Sequence, residues 1–212
     1  MPRLLPICTF VFCLSALAVD AVATVTLQID YDISPPAPST QVGFGSYQED
    51  GFTTKPLGPV LTATPFLLRR NGGSNTGFPE NGSAYLQLAL GDSLEVFQDS
   101  GEVFTPISVD LAEYSDLFAA VMSVGFTGYF SSGPPVTTSF SLDGIIDGTG
   151  PMADFETFLF PSSFENIIRL ESTTNFFSAD RLIVSVPEPG RAALLLLGLM
   201  LAVASRQRRT RA

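Results

Sequence analysis

Side chains alternate between apolar and polar with a period of two through most of the segment 24–186. At its start, Val25, Leu27, Ile29 and Tyr31 fall on one side of an extended chain, and polar residues fall on the other. The same alternation recurs at 85–90, 122–130, 138–143 and 168–171. No stretch of a dozen residues in this segment has a convincing helical period. The pattern predicts strands with one wet face, and therefore sheets that are mostly antiparallel.

Turn-forming sequences separate these predicted strands. They are rich in Gly, Pro, Asn and Asp, as at 34–36, 81–82, 99–101, 133–135 and 147–151. Roughly eight to ten short strands between such turns predict an all-β fold, an antiparallel β-sandwich of jelly-roll type. Of the 18 Phe residues, 16 lie in this segment and can fill a core in a chain that has no Trp.

Charge and residue content exclude several functions. The segment 24–186 carries 19 acidic against five basic side chains, a net charge of −14. A domain this acidic repels phosphate backbones, so we expect no nucleic-acid partner. The chain has no His, which removes Ser-His-Asp and Cys-His catalysis and the usual zinc sites.

The first 23 residues have the layout of a secretory signal peptide, which we expect to form a helix. Arg3 supplies the early positive charge, residues 4–19 are mostly apolar, and Ala21-Val22-Ala23 offers a small-residue cleavage site before Thr24. A cut after Ala18 is the alternative. Both cysteines of the chain, Cys8 and Cys13, lie in this segment, so the mature protein is expected to have no disulfide.

The C-terminal segment 187–212 has three parts in order. Pro187, Glu188 and Pro189 form a stiff, non-helical element, residues 190–205 form a predicted hydrophobic helix, and the basic end 206–212 follows. That end contains Arg206, Arg208, Arg209 and Arg211. These arginines should stay cytoplasmic, which places the segment 24–186 across the membrane. The uncharged run at 192–204 makes roughly 20 Å of helix at about 1.5 Å per residue, which is short for a bilayer core of about 30 Å.

These three parts, ending a chain that begins with a signal peptide, resemble the PEP-CTERM sorting signal of Gram-negative bacteria. The resemblance covers 187–212, with Pro187, Glu188 and Pro189 as the sorting motif. It implies that an exosortase, an integral-membrane cysteine enzyme, recognises the tail and cleaves near this motif. The inner membrane would then be a transient partner. A permanent single-pass anchor is the alternative.

The middle segment resembles the exported β-sandwich domain often found ahead of PEP-CTERM tails. The resembling stretches are 46–53, 104–111, 124–128, 140–144, 155–164 and 177–184. In many such proteins the last strand carries Asp-Asn before an aliphatic residue, where this chain has Asp180-Arg181-Leu182. The resemblance concerns the fold, so it transfers no catalytic residue.

With no His in the chain, pairs of carboxylates are the main general acid–base groups available to the mature protein. The neighbouring pairs that are candidates for a glycosidase pair are Asp30/Asp32, Glu49/Asp50, Asp92/Glu95 and Asp143/Asp147. The alternative is that these acids decorate wet faces and turns of an acidic exported protein. Nothing in the sequence marks one pair as buried, and we assign no catalytic residue.

Two further features suggest binding. Asp143 and Asp147 flank a tight turn, and oxygen ligands in a loop suit a structural Ca²⁺; the alternative is that both residues only form turns. No other cofactor is expected. The residues predicted to be exposed and available for stacking on sugar rings are Tyr47, Tyr85, Tyr114 and Tyr129.

The sequence thus predicts an exported protein, sorted by its tail to the cell surface or the exopolysaccharide matrix. It would be structural or carbohydrate-binding rather than an enzyme, with extracellular polysaccharide as a candidate partner. An exported hydrolase acting on polysaccharide and a membrane-anchored periplasmic β-sandwich are the alternatives.

Overall fold

The computed structural model describes residues 24–31, 40–57, 66–70, 77–88, 93–118, 121–146 and 154–188. The predicted signal peptide, the tail beyond Glu188 and Asp147 lie outside these ranges. Within them the regular elements are strands and two short 3-10 helices, Asp116–Phe118 and Ser162–Phe164. The strands in chain order are β1 (Thr24–Ile29), β2 (Thr40–Phe44), β3 (Tyr47–Glu49), β4 (Phe52–Pro56), β5 (Phe66–Arg70), β6 (Tyr85–Leu88), β7 (Leu94–Gln98), β8 (Thr105–Glu113), β9 (Ser123–Tyr129), β10 (Val136–Ser141), β11 (Glu156–Leu159), β12 (Arg169–Ser172) and β13 (Phe177–Pro187).

The strands form two antiparallel sheets. The seven-stranded sheet has the order β11-β8-β13-β6-β5-β2, with β1 paired to β13. The six-stranded sheet has the order β10-β9-β12-β7-β4-β3. The strand pairs whose register is resolved are antiparallel in both sheets, as at β13/β8 and β12/β9. The predicted all-β fold with antiparallel sheets is confirmed.

The two strand orders mirror each other. Matching the two orders position by position pairs β11 with β10, β8 with β9, β13 with β12, β6 with β7, β5 with β4 and β2 with β3. Each position therefore holds two strands that are consecutive in the chain, one in each sheet. This arrangement is that of a long hairpin rolled into a sandwich, which agrees with the jelly-roll-like connectivity expected from the sequence.

The core lies between the inner faces of the sheets. It takes side chains from both, among them Leu111 and Phe177 of the seven-stranded sheet and Val96, Phe126 and Leu170 of the six-stranded one. Aromatic rings fill much of it in place of Trp: the Phe140 ring lies 5.0 Å from that of Phe158 and 5.3 Å from that of Phe160. Edge-to-face and offset contacts of this kind stabilise beyond the area they bury.

Strand β13 contains a bulge at the position where the chain departs from the resembling sequences. The register against β8 shifts between Asp180 and Ile183, and Arg181 has a φ of 45°. Asn tolerates this left-handed region better than other residues with a Cβ. An Asn at this position would therefore adopt the left-handed backbone conformation easily, whereas Arg181 adopts it with more strain.

Candidate functional site

The outer face of the six-stranded sheet carries an organised polar surface. On β9, Val124 and Phe126 point into the core, so Thr127 and Tyr129 point outward. On β12, Leu170 is in the core, so Arg169 and its neighbour on the same side, Glu171, point outward. We call this surface, with the outward residues of β3, β4, β7 and β10, the polar face.

The strand registers align the polar face into two rows that cross the strands. The first row contains Lys55, Glu95, Glu171, Thr127 and Thr137, which are successive register partners from β4 to β10. The second row begins with the register partners Gln48, Thr53 and Phe97. It continues across the centre of the sheet with the register partners Arg169 and Tyr129. With strands about 4.8 Å apart, the first row extends about 19 Å over four intervals.

Ion pairs link the centre of these rows. Lys55 Nζ lies 3.4 Å from Oε2 of Glu95, and Arg169 Nη1 lies 3.8 Å from Oε1 of the same carboxylate. Arg169 Nε lies 2.8 Å from Oε1 of Glu171. Glu95 and Glu171 are directly opposite each other, where like charges destabilise a sheet, and the two cations compensate them. The Arg169 and Lys55 side chains are 38% and 43% exposed, against 12% for Glu95 and 6% for Glu171.

The same two cations cover the aromatic rings of the polar face. Arg169 Cζ lies 4.2 Å from the ring centroid of Tyr129, and Lys55 Nζ lies 4.8 Å from that of Phe97. Both are within the distance of a cation–π interaction. The Tyr129 hydroxyl donates a hydrogen bond to Glu171, which raises the pKa of Tyr129. Rings, cations and carboxylates thus hold one another in place.

A second polar cluster is buried on the outer side of the seven-stranded sheet. Asp110 and Asp180 are register partners and are 3% and 1% exposed. Oδ1 of Asp180 accepts from Arg181 N at 2.8 Å, and its Oδ2 accepts from Asn81 Nδ2 and from Ser83 Oγ. Burial, together with the negative charges of Asp110 and Asp30, raises the pKa of Asp180 to about 8.

A third cluster joins two acids that are far apart in the sequence, Asp30 and Glu49. Oε2 of Glu49 accepts hydrogen bonds from Asp30 N at 2.9 Å, from Tyr31 N at 3.1 Å and from the Tyr47 hydroxyl at 3.0 Å. Burial and a hydrogen bond shared with the Asp30 side chain raise the pKa of Glu49 to about 7. Carboxyl groups in direct hydrogen-bond contact are closer than the roughly 5 Å or more that glycosidase pairs need, so this pair does not fit that chemistry.

The structure corrects two of the four predicted stacking tyrosines. Tyr85 is fully buried: its hydroxyl donates to Pro79 O at 2.8 Å, and its ring lies 5.2 Å from that of Phe155. Tyr47 is 3% exposed and packs on Tyr31 with ring centroids 5.1 Å apart. Other parts of the fold cover the side chains of both Tyr85 and Tyr47, so the exposure predicted for these two residues was wrong. Tyr114 and Tyr129 are half-buried.

The predicted calcium ligands are only partly described. Asp143 is exposed, and its Oδ1 accepts from Ile145 N at 2.8 Å, as a turn-forming Asp does; Asp147 lies outside the described ranges. Asp143 lies beside other carboxylates, since its N–H donates to Glu156 and the next residue, Gly144, donates to Glu113. The described residues contain no group of three or more acidic or other metal-binding side chains arranged to hold an ion. The calcium site stays a prediction.

The sorting motif is described only at its start. Pro187 is the last residue of β13, and the half-buried Glu188 follows it. Pro189, the predicted hydrophobic helix and Arg206, Arg208, Arg209 and Arg211 lie outside the described ranges. Among the described elements, no helix has the length and apolar character needed to cross a membrane.

Comparison with known proteins gives matches to solved structures alone. No protein-family model and no curated protein matches the chain. A family 29 carbohydrate-binding module aligns with 14% identity and a TM-score of 0.36, over 77% of this chain and 90% of that one. The family 11 module from Clostridium thermocellum, in complex with a β-1,3-1,4-mixed-linked tetrasaccharide, aligns with 12% identity and a TM-score of 0.28, over 75% and 94%. Similarities this weak say nothing about which residues bind a ligand in this chain.

Proposed function

We propose that the chain is an exported, non-catalytic protein of the cell surface or the exopolysaccharide matrix, and that its β-sandwich binds carbohydrate. The polar face is the observation that supports this most. Its two rows hold hydroxyl, ammonium, guanidinium and carboxylate groups at regular strand spacing, and ion pairs fix the partly exposed cations against the largely buried carboxylates. A rigid array of donors and acceptors suits a polyhydroxylated ligand that presents both kinds of group.

The binding role is tested by filling the middle of the polar face. Thr127 lies in the first row between Glu171 and Thr137, and its side chain points away from the core. Thr127→Trp should cover the face and lower the affinity for polysaccharide about tenfold or more, the loss of about 1.4 kcal/mol of contacts. The measurement is affinity electrophoresis of the full-length chain in gels containing polysaccharide, including that of the native host.

The matched control places the same bulk on the other sheet. Leu159 of β11 is 70% exposed, so Leu159→Trp adds a ring without filling the core. We expect its retention to equal that of the parent. Equal retention of the Thr127→Trp and parent chains would contradict binding at the polar face.

The proposal includes export and sorting. Residues 1–23 act as the signal peptide, and an exosortase-type membrane enzyme recognises Pro187, Glu188 and Pro189 while the arginines of the basic end face the cytoplasm. The position of Pro187 at the end of β13 supports this division, because the motif begins where the sandwich ends. A structural calcium at Asp143 and Asp147 is part of the same proposal.

Replacing Pro187-Glu188-Pro189 by three alanines should stop processing of the tail. Proline fixes φ and removes a backbone donor, so the replacement lets helical structure extend through the motif. We expect full-length protein to accumulate in the inner membrane, measured by fractionation and by intact-mass analysis of protein from its native host. A variant that is cut and released like the parent would contradict sorting through this motif.

A further inference from the structure

Given the carbohydrate binding proposed above, the arrangement of charges on the polar face indicates which class of carbohydrate it binds. Lys55 and Arg169 each lie within 4 Å of a carboxylate, and the face has two cations and two carboxylates at its centre. Its local charge therefore cancels. An anionic sugar would have to displace Glu95 or Glu171, whose side chains are the less exposed partners and cannot move away easily.

The electrostatic field of the whole domain also disfavours an anionic ligand. The segment 24–186 has a net charge of −14, so an approaching polyanion is repelled before it reaches the face. An uncharged ligand does not experience this repulsion. The balanced charges at the centre of the face also make it a surface on which neutral, hydrogen-bonding groups replace water at little electrostatic cost.

The paired side chains still have hydrogen-bonding capacity to offer. A carboxylate accepts about four hydrogen bonds and a guanidinium donates five, so an ion pair leaves several sites of each kind unused. Thr127 and Thr137 continue the first row with hydroxyl groups, which donate and accept. Neighbouring hydroxyls of a sugar ring can bond to a carboxylate on one side and to a cation on the other.

The Tyr129 ring has a different role from the stacking that was expected of it, and the Phe97 ring shares that role. Arg169 lies over Tyr129 and Lys55 lies over Phe97, so each of these rings has a cation on one face. The rings position the cations. Hydrogen bonding, rather than stacking on bare rings, is then the source of recognition.

We infer that the polar face binds an uncharged polysaccharide, laid across strands β4, β7, β12 and β9, through hydrogen bonds from its hydroxyl groups to the paired charges of Lys55, Glu95, Arg169 and Glu171. The distance across these four strands is about 14 Å, which suits a run of several sugar units rather than a single ring.

The test compares polysaccharides of different charge. The full-length chain is run in affinity gels containing uncharged glucan, xylan or mannan, or the polyuronates alginate and polygalacturonate. Salt is varied from about 0.01 M to about 0.15 M, which shortens the screening length from about 30 Å to about 8 Å. We expect retention by an uncharged polymer, unchanged by salt, and no retention by either polyuronate. Retention by a polyuronate alone, or equally by both classes, would overturn the inference and leave carbohydrate binding standing. Retention by none would overturn the proposed function itself.

Two variants test the paired charges directly. Glu95→Gln with Glu171→Gln leaves Lys55 and Arg169 without carboxylate partners, and this chain should gain salt-sensitive retention by the polyuronates. Tyr129→Phe removes only the hydroxyl that bonds Glu171, so it keeps the fold and the cation–π contact if the double variant proves unstable. It should weaken retention by the uncharged polymer a few-fold. A parent-like Tyr129→Phe chain, or a folded double variant that ignores polyuronates, would contradict recognition by the paired charges.

Discussion

The melting temperature of the protein is expected to fall as the pH rises from about 5 to about 8.5. Folding raises the pKa of Asp180 from an ordinary value of 3.8 to about 8, and that of Glu49 from 4.5 to about 7. The folded state therefore holds protons that the unfolded chain has already released. The stabilisation that these two groups give to the folded state is complete below their pKa values in the unfolded chain. It is lost as the pH rises through their pKa values in the folded state.

The size of the effect is set mainly by Asp180, because it is 1% exposed while Glu49 is partly exposed and screened by solvent. One pKa unit corresponds to about 1.4 kcal/mol, so we expect at least about 2 kcal/mol to be lost over this range. For a domain of this size that lowers the melting temperature by about 4–8 °C. The chain has no His, so no imidazole titrates in the same window.

The control is Asp180→Asn, which cannot ionise but keeps the shape and one acceptor oxygen for Arg181 N, while its amide NH2 takes the place of the oxygen that accepts from Ser83 Oγ. Its melting temperature should depend on pH far less than that of the parent, and Glu49→Gln should remove a smaller part of the dependence. Thermal unfolding followed by circular dichroism at several pH values measures all three chains. A parent whose stability is flat or rises with pH over this range would contradict the buried, protonated Asp180.

Replacing Gly128 by Ala should destabilise the protein by about 1–3 kcal/mol, the usual cost of overpacking a core. A Cβ at Gly128 would lie 2.9 Å from Cδ1 of Phe164 and 3.0 Å from Cγ2 of Ile167. Both side chains are fully buried and cannot swing into solvent. Chemical denaturation gives the difference in the free energy of unfolding.

The matched control is Gly125→Ala on the same strand, β9. Its Cβ would meet nothing closer than Thr174 Oγ1 at 3.7 Å, so we expect little change in stability. In the double variant Gly128→Ala/Phe164→Leu the smaller side chain makes room, and the loss should be less than the sum of the two single losses. Equal effects of the two glycine substitutions would show that the Phe164 contact is not the cause.

The period-two pattern predicted which side of a strand a residue takes, but not whether that side is covered. Tyr85 illustrates the difference. It alternates with Leu86 and Leu88 as predicted, and it does lie on the face opposite the core. Its hydroxyl donates to Pro79 and its ring packs on Phe155, which lies 70 positions further along the chain. Local periodicity carries no information about such distant cover.

Which charged residues lie close together depends on the order of the strands in each sheet, and the sequence did not predict that order. The acid pairs considered from the sequence were close neighbours in the chain, such as Asp30/Asp32 and Glu49/Asp50. The structure instead pairs Asp30 with Glu49, and Asp110 with Asp180. The polar face was missed for the same reason, because Lys55, Glu95 and Arg169 are unremarkable until β4, β7 and β12 become neighbours. Glu95 had been considered only as a partner of Asp92.

The place of β13 has a consequence for when the protein can fold. This last strand of the described chain lies inside its sheet, between β8 and β6, and it also pairs with β1. Until residues 177–187 emerge from the ribosome, β8 and β6 have no strand between them and Phe177 is missing from the core. A chain synthesised from its N-terminus therefore leaves this sheet open until residues 177–187 arrive, and under the export that we propose, the open chain is the form that a narrow translocation channel can accept.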